Sequence, residues 1–185
     1  MNDQLDKQLV EKYPKIFRDR YGDMKKTLMC WGFECSDGWY NILDALCSNI
    51  QHHVEWQRKK RAKALVLNRK IKKAIELNSI EPIINHHTGN WWVEKCEEIL
   101  AEKKLEDVPK KVHQVVAMQV KEKFGTLSFY YGGGDDNVYA MVRMAESMSA
   151  RTCEVCGNPG RVRRGGWIKT LCDKHAEGRE EVVYE

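Results

Sequence analysis

Two short Cys/His pairs near the C-terminus restrict this chain more than any other feature: Cys153 with Cys156, and Cys172 with His175, spaced Cys-x2-Cys-x15-Cys-x2-His. A hairpin-length loop between two tight pairs lets three sulfurs and one imidazole nitrogen reach the corners of a tetrahedron, the geometry Zn²⁺ favours. Gly157 permits the turn that wraps amides toward a thiolate, and Gly160, Gly165 and Gly166 let the loop reverse before Trp167 and Ile168. Without a metal, this Gly- and Arg-rich segment has almost no core of its own to fold it. One structural zinc per chain is therefore expected. Four protein ligands leave no open coordination position, which argues against a catalytic metal here.

The cysteine count agrees with that reading. Seven cysteines are an odd number, and the crowding of ligand candidates into the last 35 of 185 residues suits metal binding better than a disulfide framework. Residues 1–15 are polar, without the apolar core of a secretory signal, so the chain is expected in a reducing, cytoplasmic compartment. Its longest apolar runs, such as Ala64 to Leu67 and Val115 to Met118, fall far short of the roughly 18 residues that a bilayer span needs. With 42% hydrophobic and 31% charged residues, the composition is that of a globular protein able to bury a core.

The net charge of +4 is unevenly spread: −2 over residues 1–57, +6 over 58–111 and 0 over 112–185. The excess comes from RKKRAKALVLNRKIKK, residues 58–73, with Arg58, Lys59, Lys60, Arg61, Lys63, Arg69, Lys70, Lys72 and Lys73 all preceding the first acid at Glu76. Nine cations on a helix suit phosphate neutralisation and salt-sensitive nucleic-acid binding, and Arg161, Arg163, Arg164 and Lys169 in the zinc loop are candidates to extend the patch. A solvated helix face accounts for the run equally well, and an acidic protein surface is a third acceptable partner.

Hydrophobic period supplies the architecture. Residues 4–20 read as a short helix pair interrupted at Pro14, with Leu5, Leu9, Ile16 and Phe17 as buried contacts. After a start signal at Ser36, Asp37 and Gly38, Trp39, Ile42, Leu43, Leu46, Ile50 and Val54 recur at helical spacing. No Gly or Pro interrupts residues 39–81, but a helix of that length would span roughly 60 Å. A bend or break near residues 58–68 is therefore expected, followed by a second helix with Leu67, Ile71, Ala74 and Ile75 on its apolar face. Residues 79–90 read as a loop, with Asn90 capping a helix that carries Trp92, Val93, Cys96, Ile99 and Leu100 and ends at Pro109. The period then changes. VHQVVAMQV, residues 112–120, and TLSFYY, residues 126–131, should pair as a hairpin that Gly132, Gly133 and Gly134 terminate. Asp135 or Asp136 then caps a helix with Val138, Met141, Val142, Ala145 and Met148 facing inward.

Other constellations carry weaker chemistry. Cys30, Cys35, Cys47 and His52 form a conceivable second metal set, but Cys47 and His52 point about 140° apart on one helix, and core cysteine is the better reading, as it is for Cys96. His86 and His87 in NHHTGN suit a metal-dependent nuclease, against a plain loop of solvated histidines. Asp135 and Asp136 would repel a phosphate from the triple glycine, and Glu146 lies too far along the helix to complete a Mg²⁺ site with them. Trp31, Trp39, Trp91, Trp92 and Trp167 are able to stack on bases, although most should anchor the core. There is no HExxH, P-loop, GxSxG or Rossmann fingerprint.

Three segments together resemble a family of proteins encoded by tailed phages and prophages: MCWGFECSDGWYNILDALC (29–47), MQVKEKFGTLSFYYGGGDD (118–136) and MAESMSARTCEVCGNPGRVRRGGWIKTLCDKHA (144–176). The resemblance implies a phage accessory protein of the host cytoplasm, a group that commonly binds host proteins or nucleic acid, including as inhibitors of host defence. The expected architecture is α+β: an N-terminal helical region and a β-hairpin plus helix within residues 1–150, then a zinc ribbon over 151–180. Binding rather than catalysis is expected, of nucleic acid first and of a host or phage protein second, with neither a membrane nor a small-molecule substrate as partner.

Overall fold

The computed structural model describes residues 1–84 and 90–182, a mixed α+β chain that divides into two compact units. The first comprises Met1–Val54 with Val112–Glu185, and the second Glu55–Lys111.

In the first unit, helix α1 (Asp3–Lys12) starts at Asn2, whose side chain accepts from the Leu5 amide. It buries Leu9 and Val10, whereas Leu5 is only half-buried. The expected second helix of the pair is absent. Residues after Tyr13 fold as consecutive turns instead, with the Ile16 and Phe17 amides both donating to the Tyr13 carbonyl. Ile16 and Phe17 still reach the core, as their hydrophobicity requires. The Arg20 guanidinium secures this segment by pairing with the buried Asp6 at 3.0 Å and donating to the Cys30 carbonyl.

Helix α2 (Tyr40–Leu77) follows a single 3-10 turn at Asp37–Trp39 and runs unbroken for 38 residues. The break expected near 58–68 does not occur. Trp39, at the end of the 3-10 turn, and Ile42, Leu43, Leu46, Ile50 and Val54 of the first half of α2 are buried in the first unit, and its second half buries Leu67, Ile71 and Ala74 in the second. Each half has its own core to pack on, so the helix need not fold back on itself.

The sheet of the first unit has the order β1-β2-β3. Strand β1 (Phe33–Glu34) is only two residues long and pairs in parallel with β2 (His113–Lys123), which forms an antiparallel hairpin with β3 (Thr126–Gly134). The glycines at 132–134 do not break β3: Gly132 pairs with Val116 and Gly134 with His113. Gly133, at φ +83°, approaches β2 so closely that a Cβ would collide with the Gln114 carbonyl. Glycine here permits close pairing beside a register shift rather than ending the strand. Helix α5 (Asp136–Ser149) then covers the sheet with Val138, Val142 and Ala145, its N-terminus capped by Asp135. Met148, expected inside, is half exposed, and Ser149 is buried in its place, donating to the Glu146 carbonyl and accepting from the Leu127 amide.

The second unit packs the distal half of α2 with α3 (Glu81–Ile84) and α4 (Asn90–Glu102) around Leu67, Ile71, Ile83, Trp92, Cys96 and Ile99. Helix α4 ends at Glu102, followed by Lys103 at φ +50°, well before Pro109. The connection beyond it lies along α2: the buried Asn68 carboxamide exchanges two hydrogen bonds with the Glu106 backbone (2.8 and 2.9 Å), and Arg61 donates to the Pro109 carbonyl at 2.6 Å. No described helix is long and apolar enough to cross a membrane.

Candidate metal centre

The last helix of the core delivers the chain directly into the Cys/His segment. Four residues after the end of α5, the amide of Cys153 donates to the Asn158 carbonyl (2.7 Å) and the Gly157 amide donates back to the Cys153 carbonyl (2.9 Å). Gly157 adopts φ +76°, closing a knuckle that sets Cys153 and Cys156 side by side. The second pair arrives on a two-stranded ribbon, β4 (Arg161–Arg163) against β5 (Lys169–Leu171), after which a 3-10 turn at Asp173–His175 lets the His175 amide donate to the Cys172 carbonyl. The Glu154 amide donates to the Thr170 carbonyl and locks knuckle to ribbon.

All four expected ligands converge: the three sulfurs and the His175 ring nitrogen lie within 4.8 Å of one another. Zn–S bonds of about 2.3 Å and a Zn–N bond of about 2.0–2.1 Å place tetrahedral corners about 3.8 Å apart for two sulfurs and about 3.6 Å for sulfur and nitrogen. The Cys156 and Cys172 sulfurs are 3.8 Å apart, and Cys153 Sγ is 3.6 Å from His175 Nδ1. Cys172 Sγ to His175 Nδ1 is shorter, at 3.2 Å. The donor set and its spacing fit zinc, with Nδ1 as the imidazole ligand. Burial opposes ionisation of Cys153, but the backbone amides of Cys172, Cys156 and Val155 outweigh it and hold its thiol down at about 6. The knuckle thus presents a thiolate to a cation near neutral pH. At Cys156 the Asn158 amide favours the thiolate, yet burial and the neighbouring thiols leave its pKa raised.

The centre is fastened to the start of α2 by contacts that sequence spacing did not signal. The Gly38 amide donates to the Glu154 carbonyl (2.7 Å), and the Trp39 indole N–H donates to the Thr152 carbonyl (2.9 Å). The buried Glu154 carboxylate accepts from both the amide and the hydroxyl of Ser36 at 3.0 Å. Ser36, Asp37 and Gly38 read in sequence only as a helix start. Ser36 makes no side-chain cap; it serves the metal module instead.

Among the described residues, this is the one group of three or more Cys, His, Asp or Glu side chains close enough to hold a metal. Cys35, Cys47 and Cys96 are core residues whose thiols burial pushes up, that of Cys35 to about 12. Cys30 donates to the Thr27 carbonyl and His52 is exposed. Asp135 caps α5 and faces His53 Nε2 at 2.9 Å, while Glu146 accepts from the Phe129 amide and Arg143. His86 and His87, on which a nuclease reading rests, lie outside the described residues, as does the side chain of Trp91.

The basic candidates separate into distinct places. On α2, Arg58, Lys59, Lys63, Arg69, Lys70 and Lys73 fall within an arc of about 140°, at 100° per residue, that borders the buried stripe of Leu67, Ile71 and Ala74 and includes the exposed Val66. Five of these six are exposed and Lys70 is half-buried. Lys72 flanks the arc, Lys60 lies outside it over the Trp56 ring at 5.2 Å, and Arg61 is committed to Pro109. In the zinc loop, Arg163 is buried and turned toward Asp173, Arg161 pairs with Glu181 at 2.7 Å, and Arg164 is exposed. Arg163 therefore serves the ribbon rather than an outer surface. Trp39 and Trp92 are core anchors, whereas Trp31 and Trp167 are exposed.

Fold and site define a mixed α+β protein carrying a closed, four-ligand Cys3His centre able to hold a metal ion. Comparison with protein-family models, with curated proteins and with solved structures finds no match.

Proposed function

We propose that this is a zinc-stabilised, non-enzymatic accessory protein that binds nucleic acid through the cationic face of α2. The observation that carries the reading is the sorting of the basic run by the unbroken helix. Six cations occupy one arc of about 140° over about 22 Å, beside the buried stripe of Leu67, Ile71 and Ala74. A stripe of that length and sign neutralises successive phosphates and releases their counterions. The resemblance to tailed-phage proteins supports a role in the cytoplasm of an infected host. A zinc held by Cys153, Cys156, Cys172 and His175 would supply folding energy to the ribbon.

The test is a salt titration. Six phosphate contacts predict roughly a 10³-fold loss of duplex affinity between about 50 and 200 mM salt. A variant with glutamine at Arg58, Lys59, Lys63, Arg69, Lys70 and Lys73 should lose most of that dependence. Absence of binding at low salt would reject the reading.

A second reading has its own observation. Within the first unit, a groove of about 430 Å³ between α2 and α5 is lined by Ile42, Leu46, Met141, Met144 and Met148, and Met144 and Met148 are more than half or half exposed. Unbranched, polarisable methionines adapt to a partner's side chains. This supports an adaptor or inhibitor that receives an apolar segment of a host protein, a complex that would change little with salt.

A further inference from the structure

The tip of the β2–β3 hairpin and the zinc-ribbon loop form a second surface, entirely within the first unit. They are fastened by the Trp167 indole, which donates to Glu122 Oε2 at 2.6 Å, and by the Thr170 hydroxyl, which donates to the Gly125 carbonyl at 2.6 Å. Between them lies an open groove of about 560 Å³, lined by Lys121, Lys123, Phe124, Trp167 and Ile168. That volume falls in the roughly 300–1,000 Å³ range of small-ligand clefts. Phe124 is 72% exposed and Trp167 62%.

Phe124 stands against its backbone preference, with the Lys123 ammonium 5.7 Å from its ring centroid. It occupies the first position of a two-residue turn in which both residues have positive φ, Phe124 at +53° and Gly125 at +79°. Such turns favour asparagine, aspartate or glycine, and a bulky residue there is an outlier. The ring is nevertheless exposed, so the strain is not offset by burial and points to use of the side chain. The charge around it sums to +1, two lysines against one carboxylate. Lys121 and Lys123 line the groove, and both oxygens of the only carboxylate there, Glu122, are occupied, Oε1 by the Gly125 amide and Oε2 by Trp167.

We infer that this groove binds unpaired bases of a single-stranded nucleic acid, stacking them on Phe124 and Trp167 while Lys121 and Lys123 meet the phosphates. Aromatic faces beside a cationic rim are the elements of single-strand recognition, because every base offers a π-face and the backbone a regular negative charge. An apolar peptide would desolvate both lysines without compensation. A duplex keeps its bases in the stack, out of reach of either ring. The inference rests on the preceding reading only for the class of ligand; the surface is separate from the α2 stripe.

The experiment uses the full-length zinc-loaded protein and three labelled probes: oligothymidylate of about 15 nucleotides, an abasic strand of equal length, and a duplex. Phe124→Asn suits the turn and Trp167→Gln retains a donor for Glu122, so both should keep the fold, checked by zinc content and melting temperature. Each is expected to weaken oligothymidylate binding by roughly five- to 150-fold while leaving duplex and abasic binding unchanged. Equal affinity of the wild type for abasic and thymidylate strands, unchanged affinity in both variants, or no binding of oligothymidylate would overturn the inference. The α2 glutamine variant separates the two readings. If it loses duplex binding but keeps the preference for thymidylate over abasic strands, the groove stands alone; if it loses duplex binding and no such preference exists, only the α2 reading survives.

Discussion

Gly38 and Cys153, 115 positions apart in sequence, are in such close contact that a Cβ on Gly38 would collide with the Cys153 carbonyl oxygen. This glycine lets the first metal-ligand knuckle lie directly on the start of the long helix. The metal centre is thereby part of the core's packing rather than a tethered appendage.

Gly38→Ala should therefore destabilise the protein by about 3 kcal/mol, because the colliding atoms are backbone and have no rotamer to escape into. Urea unfolding measures the loss, and a chromogenic zinc-release assay should show faster transfer of metal to a chelator. Trp39→Phe is expected to cost about 1–3 kcal/mol, since it leaves the Thr152 carbonyl without its donor.

Removal of the metal should have a regional effect. Cys153→Ser, or chelation of the wild type, is expected to reduce bound zinc from about one per chain to near zero. Hydrogen exchange should then lose protection over residues 151–182, while the hairpin and α5 keep theirs. A metal-free protein with full protection there would contradict the assignment.

The continuity of α2 can be tested at Ala62, an exposed position in the stretch where length alone argued for a bend. Ala62→Pro removes a backbone donor and crowds the preceding turn, at a cost of about 3 kcal/mol or more in an unbroken helix. A site of natural bending would tolerate it, and the melting temperature would hardly change.

Asp135 links pH to stability with a definite sign. Burial opposes its ionisation, but His53 and the Val138 amide outweigh that and hold the carboxyl below its usual range. A folded-state pKa depressed in this way contributes stability that is fully present above the unfolded value of about 3.9 and is lost as pH falls below it. Denaturant midpoints measured from pH 7 to pH 3 should decline below about pH 4, and less steeply in Asp135→Asn. Asp135→Ala, which also removes the helix cap, should cost about 1 kcal/mol at neutral pH.

Single glutamine replacements should separate the cations of α2. Lys63→Gln, on the exposed stripe, is expected to reduce the magnitude of the salt slope of duplex binding by about one. Arg61→Gln should act mainly on stability, because its guanidinium holds the Pro109 carbonyl. The combination of binding isotherms and melting curves distinguishes these outcomes.

The local signals were legible in the sequence. Ligand spacing named Cys153, Cys156, Cys172 and His175, hydrophobic period located the buried faces of α2, α4 and α5, and the cap of α5 was narrowed to Asp135 or Asp136, of which Asp135 serves, because each depends on residues within a few turns of one another. What depends on partners far away in the chain was not. A two-residue strand at Phe33–Glu34 carries no periodic signal, and it exists only because Val120 and Lys121 lie beside it. The glycines of β3 looked like a break until Gln114 showed why a Cβ must be absent. The continuity of α2 was undecidable from its own residues, since its distal half packs on a second core formed by Ile83, Trp92, Cys96 and Ile99. Glu154 and Trp167 acquire their roles only from Ser36 and Glu122. Composition and period determine which faces must be buried; tertiary structure alone decides what buries them, because that choice is made by close packing between segments with no proximity in sequence.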